Sequence, residues 1–227
     1  MKTVVVIPSR MASTRFYGKP LAKINGREMI LCVCDRVNQT GFELYVATPD
    51  KEIFDLVRSE GYNSIMTGKC HSGTDRVAEA SKHIKADIFI NVQGDEPKVI
   101  PEDIIAVARE KTACFNSVIG TMCRLGYNNK SIVKVIENAG DLIYLTRQGT
   151  GRFAQCGLYG YNKEELWVFY NQSDDYKQKI LDECEDIELM RFVDMGVRVK
   201  MLEIQGSIAV DTVEDLKRIM GVQNHGR

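Results

Sequence analysis

The chain has 227 residues, of which 44% are apolar and 27% charged, a composition typical of a globular protein with a sizeable core. Its 30 basic and 31 acidic residues leave a net charge of −1. No overall field therefore attracts nucleic acid or an anionic membrane, and we expect neither as a partner. The apolar run at the N-terminus is too short for a signal peptide or a membrane span, and the seven cysteines form no C-x-x-C pair. These features predict a cytoplasmic protein with reduced thiols.

The first half of the chain alternates segments typical of strands and helices. Runs of β-branched and apolar residues predict strands at 3–7, 42–47, 63–66 and 86–92. Start and stop signals such as Thr-Pro-Asp at 48–50 and Gly61 frame helices predicted at 28–38, 51–60, 73–84 and 101–111. This alternation predicts a mainly parallel sheet with helices on both faces.

After about residue 115 the pattern changes to strands joined by polar turns, one of them at 127–129. Further strands are predicted at 117–123, 132–136, 141–145, 156–161 and 197–204. Further helices are predicted at 164–170, 184–195 and 213–220. We interpret residues 1–227 as one three-layer α/β domain whose sheet is mixed in its second half.

A polar loop follows the first predicted strand, where open α/β sheets bind their ligands. It is neither a P-loop nor a G-x-G-x-x-G loop. Cations and hydroxyls concentrate in it: Arg10, Arg15, Lys19, Ser13 and Thr14. Cations and backbone N–H groups on a tight loop suit a triphosphate. The alternative is a basic surface loop without a ligand.

Two acidic residues stand at places where a metal ion could be held. Asp95 follows Gly94 at the end of an apolar strand, and Asp211 precedes the last predicted helix. Carboxylate oxygens suit Mg²⁺ bound to phosphates. Alone, Asp95 would be typical of a turn. Asp211 or Thr212 could instead form a capping box with the acidic residues that follow, and both roles can coexist.

A third segment, His71-Ser72-Gly73-Thr74-Asp75-Arg76, leads into a helix. Exposed N–H groups at a helix start can bind a phosphate or a base edge. The same pattern is equally typical of an ordinary helix cap.

Taken together and in order, these segments resemble the CMP-Kdo synthetases, the 3-deoxy-manno-octulosonate cytidylyltransferases. The resemblance rests on IPSRMASTRFYGKPL at 7–21, HSGTDR at 71–76, NVQGDEP at 91–97 and VDTVEDL at 210–216. Further matches extend the resemblance from about residue 3 to 217; they are VATPD, IVKV, LTR, CGLYGY and MRFVDMG. It implies a Rossmann-like nucleotidyltransferase fold, with a nucleotide-binding half at 1–114 and a sugar-binding half at 115–227.

The resemblance also implies an activity: CMP passes from CTP to a 2-keto sugar acid such as Kdo, and pyrophosphate is released. Asp95 and Asp211 would hold Mg²⁺ and, with Arg10 and Lys19, form the catalytic set. The implied nucleotide-binding residues are Pro8, Arg10, Ser13, Thr14, Arg15, Lys19, Ser72, Gly73 and Arg76. The implied sugar-binding residues are Gln93, Arg147, Gln155, Tyr159 and Glu185. Family members are typically dimers, so a homodimer is possible.

The sequence departs from the family mainly on the sugar side. Only residues 148–154 separate Arg147 from Gln155, and Gln155 stands where the family has His. Leu189 replaces a sugar-facing Gln, and Tyr17 replaces a proline of the first loop. A different or amino-substituted 2-keto sugar is therefore an alternative substrate. An inactive nucleotide-binding paralogue and a nucleotide-sugar glycosyltransferase are alternatives of other classes.

Overall fold

The computed structural model describes residues 1–13, 15–126 and 132–221. The strands are β1 Thr3–Pro8, β2 Lys23–Ile24, β3 Arg27–Glu28, β4 Glu43–Thr48, β5 Asn63–Met66, β6 Ile88–Val92, β7 Val118–Arg124, β8 Lys134–Asn138, β9 Asp141–Thr146, β10 Phe153–Asn162 and β11 Val199–Glu203. The helices are α1 Met29–Asn38, α2 Lys51–Ser59, α3 Gly73–Ser81, α4 Pro101–Ala113, α5 Lys163–Tyr170, α6 Asp174–Glu183, α7 Met190–Asp194 and α8 Val213–Ile219. None of the helices in these ranges is both long and apolar enough to cross a membrane.

Nine strands form one sheet in the order β5-β4-β1-β6-β10-β7-β11-β9-β8, and β2 pairs with β3 separately. Strands β5, β4, β1 and β6 are mutually parallel. Within the nine-stranded sheet that the described residues form, only β9 and β10 run against the direction of β1. The predicted α/β fold with a mainly parallel, mixed sheet is confirmed. Because β1, β6 and β11 share a direction, the loops that follow them all leave one edge of the sheet.

The sheet is buried on both faces, which explains the unbroken apolar run of β1. Successive side chains of a strand point to opposite faces. Val4 and Val6 accordingly pack in one core cluster with α3, α5 and α7, while Val5 and Ile7 pack in another with α1, α2 and α4. One cluster lies on each face of the sheet, so the sheet and the helices on its two sides form three layers. A smaller third cluster packs α8 and Val210 against the start of α1.

One predicted element is wrong. The helix predicted at 184–195 is interrupted: α6 ends at Glu183, α7 begins at Met190, and α6 itself was not predicted. Glu185 and Asp186 have positive φ angles of 55° and 60°, a left-handed backbone that ends a right-handed helix. The turn predicted at 127–129 lies outside the described residues.

Candidate functional site

The loop that follows β1 folds back over the edge of the sheet. The N–H of Gly18 donates to the carbonyl of Met11 at 3.0 Å, and Gly18 adopts φ +71°. Glycine enters this left-handed region without a steric penalty. A short 3₁₀ helix, Lys19–Leu21, begins directly after it. The turn therefore directs Lys19 back toward the ends of the strands.

Lys19 meets both predicted metal ligands there. Its Nζ lies 2.6 Å from Oδ2 of Asp95 and 3.4 Å from Oδ1 of Asp211. Arg15 approaches the same Asp211 oxygen at 3.0 Å. The N–H of Val210 donates to the carbonyl of Asp95 at 2.8 Å, which holds the two acidic segments side by side. Residues distant in the sequence thus converge, as the motifs led us to expect.

The donor set at this point fits a magnesium ion. Two carboxylates face one cation, and the ammonium of Lys19 already occupies the position between them where positive charge is favoured. Mg²⁺ is usually bound by one or two carboxylates, with phosphates and water completing its shell. Among residues 1–13, 15–126 and 132–221, no group of three or more His, Cys, Asp or Glu could hold a metal alone. Asp95 and Asp211 would therefore share the ion with the substrate.

The N-terminus of α3 borders the same edge of the sheet. The Oγ of Ser72 accepts from the N–H of Asp75 at 3.2 Å and caps the helix. A Cβ added at Gly73 would be in van der Waals contact with Pro8 Cγ at 3.5 Å and with the Gln93 amide at 3.4 Å, so this turn packs against the ends of β1 and β6. The helix cap proposed from the sequence is present, and the capped turn also faces the cleft.

Arg76, one turn further, is a buried cation. Its side chain donates to Oγ1 of Thr67 at 2.6 Å and to the carbonyl of Gly68, and the residue is only 4% exposed. Burial, reinforced by the nearby Arg10, lowers the pKa of Arg76. No acidic side chain of the described residues forms a salt bridge with it. An anion that enters the cleft would provide a negative charge to pair with the guanidinium of Arg76.

Ser9 is a polar residue of the site that the sequence did not single out. It is 7% exposed, lines the cleft, and its hydroxyl has no hydrogen-bond partner among the described residues. Buried hydroxyls are normally paired. An isolated serine in a loop gives no signal in the sequence. Ser9 is recognised as part of the site only from its burial beside Gly94 in the structure.

These elements enclose a cleft of about 800 Å³. Of the predicted nucleotide-binding residues, those that line it are Pro8, Arg10, Ser13, Arg15, Lys19, Ser72, Gly73 and Arg76. Thr14, also predicted, lies outside the described residues. Gln93, Asp95 and Asp211 line the cleft as well, and Tyr17 and His71 complete this wall.

A second part of the lining comes from the end of α6 and the segment that follows it, which contribute Leu181, Asp186 and Glu188. The carboxylate of Glu188 accepts from the N–H of Thr74 at 3.0 Å and from Nε2 of Gln93 at 3.4 Å. These three residues were not predicted, because α6 was not anticipated and 184–195 was predicted to be one continuous helix. The glutamate that begins Glu-Leu-Met-Arg at 188–191 was the available signal.

Four predicted sugar-binding residues do not belong to the lining of this cleft: Arg147, Gln155, Tyr159 and Glu185. Glu185 accepts from Oγ1 of Thr146 at 2.8 Å and from the N–H of Arg147, so it holds the end of β9. Gln155 donates to the hydroxyl of Tyr159 at 2.9 Å. Leu189, expected to face the sugar, is 1% exposed and packs in the core.

Comparisons with known proteins identify the family and the fold. The sequence model of the cytidylyltransferase family matches residues 4–199. The 3-deoxy-manno-octulosonate cytidylyltransferases of Geotalea daltonii and Geobacter metallireducens are 32% and 34% identical, each over 97% of both chains. A solved CMP:2-keto-3-deoxy-manno-octonic acid synthetase complexed with CTP superposes with a TM-score of 0.86 at 29% identity, covering 98% of both chains. A putative glucose-1-phosphate thymidylyltransferase from Bacillus anthracis shares the fold at 14% identity, with a TM-score of 0.76 over 99% of this chain and 98% of its own. The chain belongs to the cytidylyltransferase family.

Proposed function

We propose that the protein transfers CMP from CTP to 3-deoxy-manno-octulosonate and releases pyrophosphate. The observation that carries the proposal is the convergence of Lys19, Asp95 and Asp211 at a cleft lined by the predicted nucleotide-binding loops. The similar curated proteins named for this reaction, and the similar structure with CTP, support it. Their names favour Kdo over an amino-substituted sugar acid. They also favour an enzyme over an inactive paralogue or a glycosyltransferase.

The cations of the cleft serve the triphosphate. Arg10, Arg15, Lys19 and Arg76 present positive charge to one cavity, and the α3 N-terminus adds backbone N–H groups. Charge on the α-phosphate and on departing pyrophosphate is stabilised by such fixed donors, with no covalent intermediate on the protein. Mg²⁺ held by Asp95 and Asp211 would neutralise phosphate charge and lower the pKa of the attacking sugar hydroxyl. Lys19 then exchanges its two carboxylate partners for phosphate oxygens.

The sugar belongs where Gln93 meets the part of the lining that follows α6. Gln93, Asp186 and Glu188 offer hydrogen-bonding groups to a polyol there. Glu188 and Gln93 also contact each other, which orients both side chains. Arg147, Gln155, Tyr159 and Glu185 stay predicted sugar residues. A homodimer likewise stays a prediction.

Pyrophosphate release tests the proposal directly. The protein is incubated with CTP, Mg²⁺ and a panel of acidic sugars that contains Kdo, an amino-substituted 2-keto acid and a sialic acid. We expect turnover with Kdo, none without Mg²⁺, and much less with ATP or GTP in place of CTP. If the amino-substituted acid is turned over in preference to Kdo, that acid replaces Kdo as the proposed substrate. Binding of CTP without turnover of any sugar would support the inactive paralogue instead.

A further inference from the structure

We infer that Glu96 is a positioning residue that fixes the spacing of the two metal-binding carboxylates, Asp95 and Asp211. The inference rests on the proposed function, because it assigns a purpose to a residue beside that metal site. Glu96 does not itself line the cleft. It acts through the segments to which it is bonded.

Glu96 ties together three parts of the chain. Its Oε1 accepts from the N–H of Gly157 on β10 at 3.0 Å. Its Oε2 accepts from the hydroxyl of Ser207 at 2.5 Å. Glu96 directly follows Asp95, and Ser207 lies in the loop that leads to Asp211. This side-chain bond and the backbone bond between Val210 and Asp95 therefore join the two acidic segments at two separate points.

The contact with β10 is possible only because residue 157 is glycine. A Cβ at this position would lie 2.3 Å from Oε1 of Glu96 and 2.7 Å from Cγ of Gln93. Either distance is far below a van der Waals contact. The absence of a side chain at 157 thus admits the carboxylate to the backbone of β10 and leaves space beside Gln93, a residue of the cleft.

Stability alone does not account for a glutamate here. Glu96 is 5% exposed and forms no salt bridge with a described residue. Burying an unpaired carboxyl is costly, and apolar replacements of buried polar groups are often neutral or stabilising. This residue contributes two hydrogen bonds, one to β10 and one to the loop that leads to Asp211. Partners that orient metal ligands typically affect metal affinity by about 10- to 100-fold.

Four variants test the inference: Glu96→Ala, Glu96→Gln, Ser207→Ala and the control Ser64→Ala. The measurements are the Mg²⁺ concentration for half-maximal turnover and the thermal shift produced by Mg²⁺ at a fixed CTP concentration. We expect Glu96→Ala to raise the required Mg²⁺ about tenfold or more, and Ser207→Ala several-fold. Glu96→Gln should stay within about twofold of the parent, because an amide can accept from Gly157 and donate to Ser207. Binding of CTP without Mg²⁺ should not change.

The control separates positioning from general destabilisation. Ser64 is also buried, and its hydroxyl donates to the carbonyl of Phe54 at 3.1 Å on the outermost strand β5, away from the cleft. Ser64→Ala should lower the melting temperature and leave the Mg²⁺ requirement unchanged. An unchanged Mg²⁺ response in both Ser207→Ala and Glu96→Ala, or an equal change in Ser64→Ala, overturns the inference. If the parent protein turns over no CTP, the proposed function fails, and the Mg²⁺-dependent thermal shift still tests the role of Glu96.

Discussion

Asp211 and Thr212 are neighbours with separable roles, which makes them the sharpest test of the site. The Oγ1 of Thr212 accepts from the N–H of Asp215, and Oδ2 of Asp215 accepts from the N–H of Thr212 at 3.0 Å. This reciprocal capping box begins α8. The side chain of Asp211 takes no part in it and contacts Arg15 and Lys19 instead. Of the two capping residues considered from the sequence, the structure selects Thr212.

The structure sets the size of each effect. Thr212→Ala removes a helix cap, a loss of about 1 kcal/mol (range ~0.5–2) in the free energy of unfolding. In a domain of this size that lowers the melting temperature by about 2–4 °C. Asp211→Asn removes ion pairs of a carboxylate that is 38% exposed, contributions of at most about 1 kcal/mol. It also removes repulsion from Asp95. Asp211→Asn should also lower turnover at least about 100-fold, since metal ligation stabilises the transition state by several kcal/mol.

Both variants are assayed for pyrophosphate release and for thermal unfolding in the same buffer. We expect Asp211→Asn to melt near the parent protein but to be inactive, and Thr212→Ala to melt lower but to remain active. Circular dichroism confirms that both are folded before turnover is compared. If Asp211→Asn retains turnover within about threefold, or if Thr212→Ala loses as much activity as Asp211→Asn, the assignment of Asp211 to the metal is wrong.

Three further outcomes follow from single features of the molecule. CTP with Mg²⁺ at roughly 100 times its Kd should stabilise the fold by about 2.7 kcal/mol, and equal shifts with ATP and GTP would argue against a cytidine site. Ser9→Ala should weaken CTP binding about 2- to 12-fold, which corresponds to roughly 0.5–1.5 kcal/mol. The free variant should melt no lower than the parent protein, because the hydroxyl of Ser9 has no hydrogen-bond partner among the described residues. If Ser9 were purely structural, the variant would instead lose stability. The thiol of Cys156 lowers the pKa of Cys123 by hydrogen bonding, so alkylation of Cys123 by iodoacetamide, followed by mass spectrometry, should have its midpoint below that of an ordinary cysteine. Cys156→Ala should raise that midpoint, and an unchanged midpoint would contradict the pairing.

The cleft lining that comes from the first half of the chain could be predicted because its signals are local. The first loop, Gly94-Asp95 and the turn at Ser72 each follow a strand or begin a helix. Parallel strands bring their carboxyl ends to one edge, so placing the strands was enough to place the residues. Even Asp211, far along the chain, emerges at this edge, because β11 runs parallel to β7. Thr212 and Asp215 form the predicted capping box, although the sequence alone did not decide between Asp211 and Thr212.

The second half was harder because its structure depends on distant contacts. The sequence at 184–195 is compatible with a helix, yet the carboxylate of Glu185 binds the end of β9, and the backbone turns left-handed there. Such a contact is set by tertiary packing and leaves no periodic signal. The same turn moves Leu189 into the core and Glu188 into the cleft. The family resemblance, which has a sugar-facing Gln at position 189, had suggested that this position borders the sugar.

Buried contacts tie the start of α3 to the segment around Glu188, and both line the cleft. A guanidinium nitrogen of Arg191 on α7 donates to Oδ1 of Asp75 at 2.6 Å, and Oδ2 of Asp75 accepts from the hydroxyl of Ser72. Arg191 and Asp75 are almost fully buried, so removing Asp75 would leave the guanidinium of Arg191 without its acidic partner in the core. Glu188, three residues before Arg191, binds the N–H of Thr74 in the first turn of the same helix. The start of α3, which lines the cleft, is therefore also bonded to the segment that carries Glu188. A buried ion pair that lines no part of the cleft thus holds the start of α3 to α7.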